Sequence, residues 1–205
     1  EKAFNLQESF GTKAQLANDL ISQMRAIKTE SEIKALHEAG AAIDVVHSQM
    51  AKWLKPGRTE REVGRDIANA ILDAGHSTVD FVIVASGPNG ASPHHEVSDR
   101  VINAGEPVVV DIGGTMPSGY CSDSTRTYVC GSAPTEYLDY YAVLQHAQAQ
   151  ACLAATTQNT CEQIDAVARD ILTGAGLGEY FIHRTGHGIG LETHEDPYLV
   201  TGNTQ

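Results

Sequence analysis

The sequence holds 205 residues, 41% of them hydrophobic, which is enough to bury one sizeable core. Acidic residues outnumber basic ones 26 to 14, and the formal net charge of −12 would repel nucleic-acid backbones and anionic membrane surfaces, so neither is expected as a partner. No apolar run approaches the ~20 residues of a membrane span, and the N-terminus lacks the basic-then-apolar order of a signal peptide, so a cytoplasmic location is expected. The 4 cysteines (Cys121, Cys130, Cys152, Cys161) include no Cys-x-x-Cys pair, which argues for reduced structural thiols over a zinc ribbon or redox motif.

Residues 1–27 carry only weak helical patterning and read as a linker or the tail of an absent N-terminal domain. Thr29 and Glu32 then have capping-box spacing, and Ile33, Leu36, Ile43, Val46, Met50 and Leu54 follow at helical spacing until Pro56-Gly57. A second capping box, Thr59 with Glu62, opens a shorter helix whose Val63, Ile67 and Ile71 share a face and which ends near Gly75. The β-branched run 79–87 predicts a strand, giving the order helix, helix, strand.

The same order returns downstream. A helix is expected from about Thr135 to Thr156, another from the capping pair Thr160 and Gln163 to near Gly176, and a strand over 180–188. Thr59, Glu62, Val63, Ile71 and Gly75 superpose in order on Thr160, Gln163, Ile164, Leu172 and Gly176, so a two-fold internal repeat with a site between its halves is expected. Two unrelated amphipathic helices could also match this well by chance.

Between the repeats, residues 107–131 read as two strands joined by a Gly/Pro/Ser turn. Turning around Pro117-Ser118, this hairpin would set Asp111 opposite Asp123, Gly113 opposite Cys121 and Thr115 opposite Gly119. Directly opposed residues have Cβ atoms ~4.5–5.5 Å apart, and two carboxylates at that distance repel. A shared proton, a basic side chain or a cation would offset the repulsion. Arg126 would point to the other face of a regular strand, whereas two metal ions ~3.5–4 Å apart would fit such a pair. Acidic residues at a hairpin are also often merely solvated.

Downstream, HRTGHGIGLETHEDP (183–197) gathers His183, His187 and His194 around Gly186, Gly188 and Gly190. Neutral imidazole ligates zinc-, manganese- and cobalt-type ions, and glycine lets backbone come close to a site. Surface histidines are the bland alternative; a Gly-rich phosphate cradle is weaker, for want of the following lysine. The segment SGPNGASPHHE (86–96) places His94 and His95 after a Pro-Asn-Gly turn.

Together VVVDIGGTMPSGYCSDSTRTY, HRTGHGIGLETHEDP and VDFVIVASGPNGASPHHE resemble, in order, the metal-ligand hairpin, the histidine segment and the substrate-side loop of Xaa-Pro peptidases (prolidase and aminopeptidase P). The loop precedes the hairpin in the chain, as in that family, and the resemblance runs from about Ile27 to Gln205. It implies an α/β (α+β) pita-bread fold, with two pseudo-symmetric helix-helix-strand halves around a curved antiparallel sheet. The catalytic domain would span 28–205, with its last strands missing. Asp111, Asp123 and His187 would be metal ligands, Asp123 bridging two divalent ions, while His94, His183 and His194 would line the substrate pocket as catalytic groups. The implied reaction is hydrolysis of the bond preceding proline, in a dipeptide or at a peptide N-terminus, by a hydroxide bridging the two ions. Manganese is expected first, then cobalt, then zinc.

The separation of Asp111 and Asp123 is one residue longer than the family's usual hairpin, so a longer turn around Pro117 is expected. Family members draw two further glutamate ligands from downstream strands, which this sequence does not reach, and Glu192 and Glu195 do not match them. The chain by itself is therefore expected to be a poor enzyme unless a complementary C-terminal segment completes it; family analogy also suggests a homodimer. The alternatives are a catalytically inactive pita-bread binding module or fragment, and a methionine aminopeptidase, against which the Gly-Tyr-Cys-Ser-Asp hairpin and the Pro-His-His loop stand.

Overall fold

A computed structural model of the chain describes residues 17–205. In chain order its elements are α1 (Asn18–Ala26), α2 (Glu30–Ser48), α3 (Glu60–Asp73), β1 (Thr78–Ser86), β2 (Pro107–Thr115), β3 (Cys121–Val129), α4 (Thr135–Ala154), α5 (Cys161–Gly174), β4 (Gly186–Gly188) and β5 (Glu195–Leu199). Single 3₁₀ turns lie at Met50–Lys52, Gly87–Ala91 and Gly178–Tyr180. Of the segment 1–27, residues 1–16 lie outside the described residues, and α1 packs against β5.

The expected capping boxes start α2, α3 and α5. The hydroxyls of Thr29, Thr59 and Thr160 accept from the amides of Glu32, Glu62 and Gln163, whose side chains accept in return from the threonine amides. Each reciprocal pair satisfies two donors that a helix start leaves orphaned. Helices α3 and α5 both stop before a glycine at positive φ, Gly75 at 106° and Gly176 at 75°, a conformation that costs other residues a Cβ clash.

Strands β1, β2 and β3 form an antiparallel meander. Alternate side chains divide it into two faces. Val84, Val108, Val110 and Ile112 are fully buried beneath α2 and α3, against Ile43, Val46, Met50, Val63, Ile67 and Ile71. At about 1.5–3 kcal/mol for each large apolar side chain removed from water, this layer is the main support of the sheet. The opposite face carries Phe81, Ile83, Val109, Asp111, Asp123 and Thr125.

The hairpin register corrects one expectation. Asp111 pairs with Thr125, Gly113 with Asp123 and Thr115 with Cys121. The loop runs from Met116 to Tyr120, closed by Met116 N–H donating to Tyr120 O (2.9 Å) and Gly119 N–H to Met116 O (2.8 Å), with Gly119 at φ 87°. The longer turn moves the pairing by an even number of residues, so both aspartates stay on one face. They are diagonal rather than opposed neighbours, a relation of about 7–8 Å between backbones.

In the second half Ala147, Ala151, Ile164, Ala168 and Leu172 form a separate core between α4 and α5. Ile164 and Leu172 thus hold the places that their repeat partners Val63 and Ile71 hold in the first. The strand expected over 180–188 is corrected as well, because only Gly186–Gly188 enter a ladder, paired with β5. Ahead of them the carbonyls of Phe181 and His183 accept from Arg169, and the Thr185 amide donates to Asp165, so side chains of α5 stand where a neighbouring strand would.

Candidate active site

All six residues singled out in the sequence line one open cavity of about 800 Å³. The sheet supplies Asp111 from β2 and Asp123 from β3; His187 comes from β4. His183 and His194 sit just before β4 and β5, and His94 follows the 3₁₀ turn after β1. Strand alternation aims the two carboxylates out of the sheet, and the Gly-rich approach to β4 brings imidazoles to meet them.

Asp123, His187 and His194 each offer a ligand atom within 4.8 Å of the others. Asp123 Oδ2 lies 3.4 Å from His187 Nε2, and the rings of His187 and His194 are 4.2 Å apart between centroids. His187 Nδ1 is 2.9 Å from the Gly188 carbonyl. A carbonyl only accepts, so Nδ1 carries a proton, and Nε2 is left as the ring atom that faces Asp123 and that would ligate an ion. Burial, and then the neighbouring charge of Asp111, push the Asp123 carboxyl above its ordinary range, with His187 pulling the other way. A half-buried carboxylate raised in this way, facing two imidazoles, is a donor set that fits a divalent transition ion.

Asp111 stands outside that tight group, and its Oδ1 accepts a hydrogen bond from Thr125 Oγ1 at 2.7 Å. Sequence reasoning passed over Thr125. The signal was its place directly opposite Asp111, which becomes visible only once the five residues of the Met116–Tyr120 loop are counted.

The remaining histidines face the cavity from its rim. His94 and His183 meet edge to edge with centroids 5.7 Å apart. His194 is exposed; partial burial and the positive surroundings of His187 and Arg184 lower its pKa, which favours the neutral ring. His95 turns from its neighbour and places Nε2 2.8 Å from the buried carboxylate of Glu60.

Glycines here serve close packing. A Cβ on Gly113 would come 2.4 Å from both the Phe81 ring and the Ser122 carbonyl, and one on Gly188 would come 2.5 Å from the Asp196 carbonyl. Gly188 therefore admits the backbone of β5, and Gly186 lies against the Leu199 side chain, so both serve packing between the two strands.

Comparison with known proteins places this geometry in a family. The model of metallopeptidase family M24 matches residues 34–205. The chain is 54% identical over 198 residues to "Probable dipeptidase PepE" of Mycobacterium bovis, covering 97% of this chain and 53% of that protein. Its structure matches dipeptidase PepE from Mycobacterium ulcerans with a TM-score of 0.94 at 52% identity, covering 99% of this chain and 55% of that one. Prolidase from Pyrococcus furiosus matches with a TM-score of 0.92 at 34% identity, covering 98% of this chain and 61% of the other. The chain thus spans about half the length of the relatives it matches, and its fold is the pita-bread fold, present in part. This chain belongs to metallopeptidase family M24.

Proposed function

We propose that residues 28–205 form the greater part of a catalytic unit that hydrolyses the peptide bond preceding proline, with two divalent metal ions as cofactor. The observation that carries this reading is the convergence of Asp123, His187 and His194 within 4.8 Å, beside Asp111 on the same sheet face of one cavity. The likeness to a protein named prolidase supports the choice of substrate. Asp111, Asp123 and His187 would hold the ions, and mixed carboxylate and imidazole ligation suits manganese first, then cobalt or zinc. Ions held there would supply water of lowered pKa, toward ~7, and polarise the scissile carbonyl.

The chain's own groups do the rest. The Gly188 carbonyl fixes the His187 tautomer, and Thr125 fixes the Asp111 carboxylate. His94, His183 and the exposed His194 stand on the open side, where N–H donors would meet the substrate carbonyl and the negative charge that develops on it. Among the described residues no helix is long and apolar enough to cross a membrane. A cytoplasmic enzyme, acting as a homodimer or with a complementary C-terminal segment, fits this reading.

The test is metal content and turnover of Xaa-Pro dipeptides and longer Xaa-Pro peptides by the full-length protein, beside Asp123→Ala. About two ions per chain, with proline-dependent cleavage lost in the variant, is the expected result. A wild-type protein that takes up no transition metal, or that cleaves without regard to proline, would sink the proposal.

A further inference from the structure

We infer that Glu60 and Asp165, one from each half of the fold, are positioning residues that fix the facing pair His94 and His183; the inference rests on the peptidase reading above. Both carboxylates are completely buried, and neither lines the cavity. Burying a charge is costly unless every lone pair is engaged, so a charge at such a place points to something that must be held.

Glu60 opens α3 and gathers the loop that carries His94. Its Oε1 accepts from the Ser86 amide (2.8 Å), Ser86 Oγ (2.7 Å) and Asn89 Nδ2 (3.0 Å). Oε2 accepts from Ser98 Oγ (2.6 Å) and faces His95 Nε2 at 2.8 Å. These partners lie on both sides of His94, and one is its immediate neighbour.

Asp165 does the same for His183. It forms a two-point pair with Arg169 Nε (2.9 Å) and Nη2 (3.0 Å), and accepts from the Thr185 amide (3.1 Å), Thr185 Oγ1 (2.7 Å) and Thr201 Oγ1 (3.2 Å). Arg169 then donates to the carbonyls of Phe181 and His183, each at 3.0 Å. The brace therefore holds the backbone of residues 181, 183 and 185, on either side of and at His183 itself.

In the repeat alignment Asp165 falls on Gly64, one helical turn beyond Glu60 and on the same helix face. The two halves thus place a buried carboxylate behind each histidine loop. The imidazoles so held meet at 5.7 Å.

The test is a pair of double-mutant cycles in the full-length, metal-loaded protein. Glu60→Gln and Asp165→Asn should each lower kcat/KM by about 10- to 100-fold, as misplaced supporting groups do. Glu60→Gln should cost nothing further in a His94→Ala background, nor Asp165→Asn in His183→Ala, because a positioning residue acts through its histidine. Losses that multiply in those backgrounds would overturn the inference.

Backbone hydrogen exchange of the same variants gives a reading independent of turnover. Faster exchange confined to 86–98 for Glu60→Gln and to 181–188 for Asp165→Asn is expected; a uniform rise across the sheet core would mean the carboxylates only stabilise the fold. If Asp165→Asn does not fold, Thr185→Val removes one hydroxyl donor from the same brace and is read by the same two criteria. If the wild-type protein cleaves no Xaa-Pro bond, the peptidase reading falls, while the exchange pattern still decides whether the carboxylates hold the loops.

Discussion

Asp123 sits where folding alone would not put a carboxylate: half-buried and on the same sheet face as Asp111, with the imidazole of His187 as its one nearby counterweight. Burial and like charge both oppose its ionised form, so without metal it lowers the stability of the fold at neutral pH. The sign follows from linkage: a carboxyl whose folded pKa lies above its unfolded value subtracts stability at every pH above that range. Asp123→Asn keeps the shape and removes the charge. The metal-free variant should unfold at the same urea concentration as the wild type or higher, while metal content and turnover fall away. A variant that loses stability in step with activity would indicate a structural role for Asp123. Thr125→Val tests the neighbouring carboxylate more gently. Deprived of the 2.7 Å bond to Thr125, Asp111 is free to turn, and divalent-metal affinity measured by titration calorimetry should drop about 10- to 100-fold.

At the scale of elements, the sheet is held by what its glycines leave out. A Cβ on Gly114 would come 2.5 Å from the Thr78 carbonyl and 3.0 Å from both the His76 ring and Ile71. Backbone on one side and core on the other leave it nowhere to move, so Gly114→Ala should cost about 1–3 kcal/mol in urea unfolding. Helix starts are simpler. Thr160→Ala removes the hydroxyl acceptor of one capping box and should cost about 1 kcal/mol. That contrast marks what could be read from sequence. Thr29, Thr59 and Thr160 are legible because a cap is chemistry between residues three apart. The β2–β3 register is not, because it turns on two backbone hydrogen bonds inside the Met116–Tyr120 loop that no side chain advertises. The strand expected over 180–188 fails for a related reason: its β-like composition is real, but Asp165 and Arg169, distant in sequence, take up its backbone groups. The grouping of Asp111, Asp123, His94, His183, His187 and His194 was legible, since carboxylates and imidazoles among glycines stand out in a sequence, and all six line one cavity. Glu60 and Asp165 escaped notice because on a helix an acidic residue reads as solvated until its burial is known.

Across the whole molecule these buried groups set how the fold responds to acid. His47 and His76 are buried and held below the usual histidine range, chiefly by that burial. Each is bonded as a neutral ring: a carbonyl, Ser124 for His47 and Ile71 for His76, faces one nitrogen, and a hydroxyl, Tyr128 or Ser122, faces the other. Below about pH 6.5 the unfolded chain takes up protons that these rings refuse, so stability begins to fall there. A second loss comes lower. Burial would raise Glu60 and Asp165, but hydrogen bonds from Ser98, Ser86 and His95 to the one, and from Arg169 and Thr185 to the other, outweigh it and hold both at about 2. Their contribution, on the order of 3 kcal/mol each, is complete above the ordinary carboxylate range and disappears as pH drops toward about 2. The net charge of −12 acts in the opposite sense, because mild acid relieves its self-repulsion. About 1 M salt shortens the range of that repulsion to ~3 Å and leaves the buried terms exposed. Urea midpoints of the metal-free protein, taken in such salt, should decline in two steps, one below about pH 6.5 and one below about 4.5. His76→Gln should flatten the upper step and Asp165→Asn the lower. A curve that stays level from about pH 7.5 to 5.5 would mean that the buried imidazoles accept protons inside the fold.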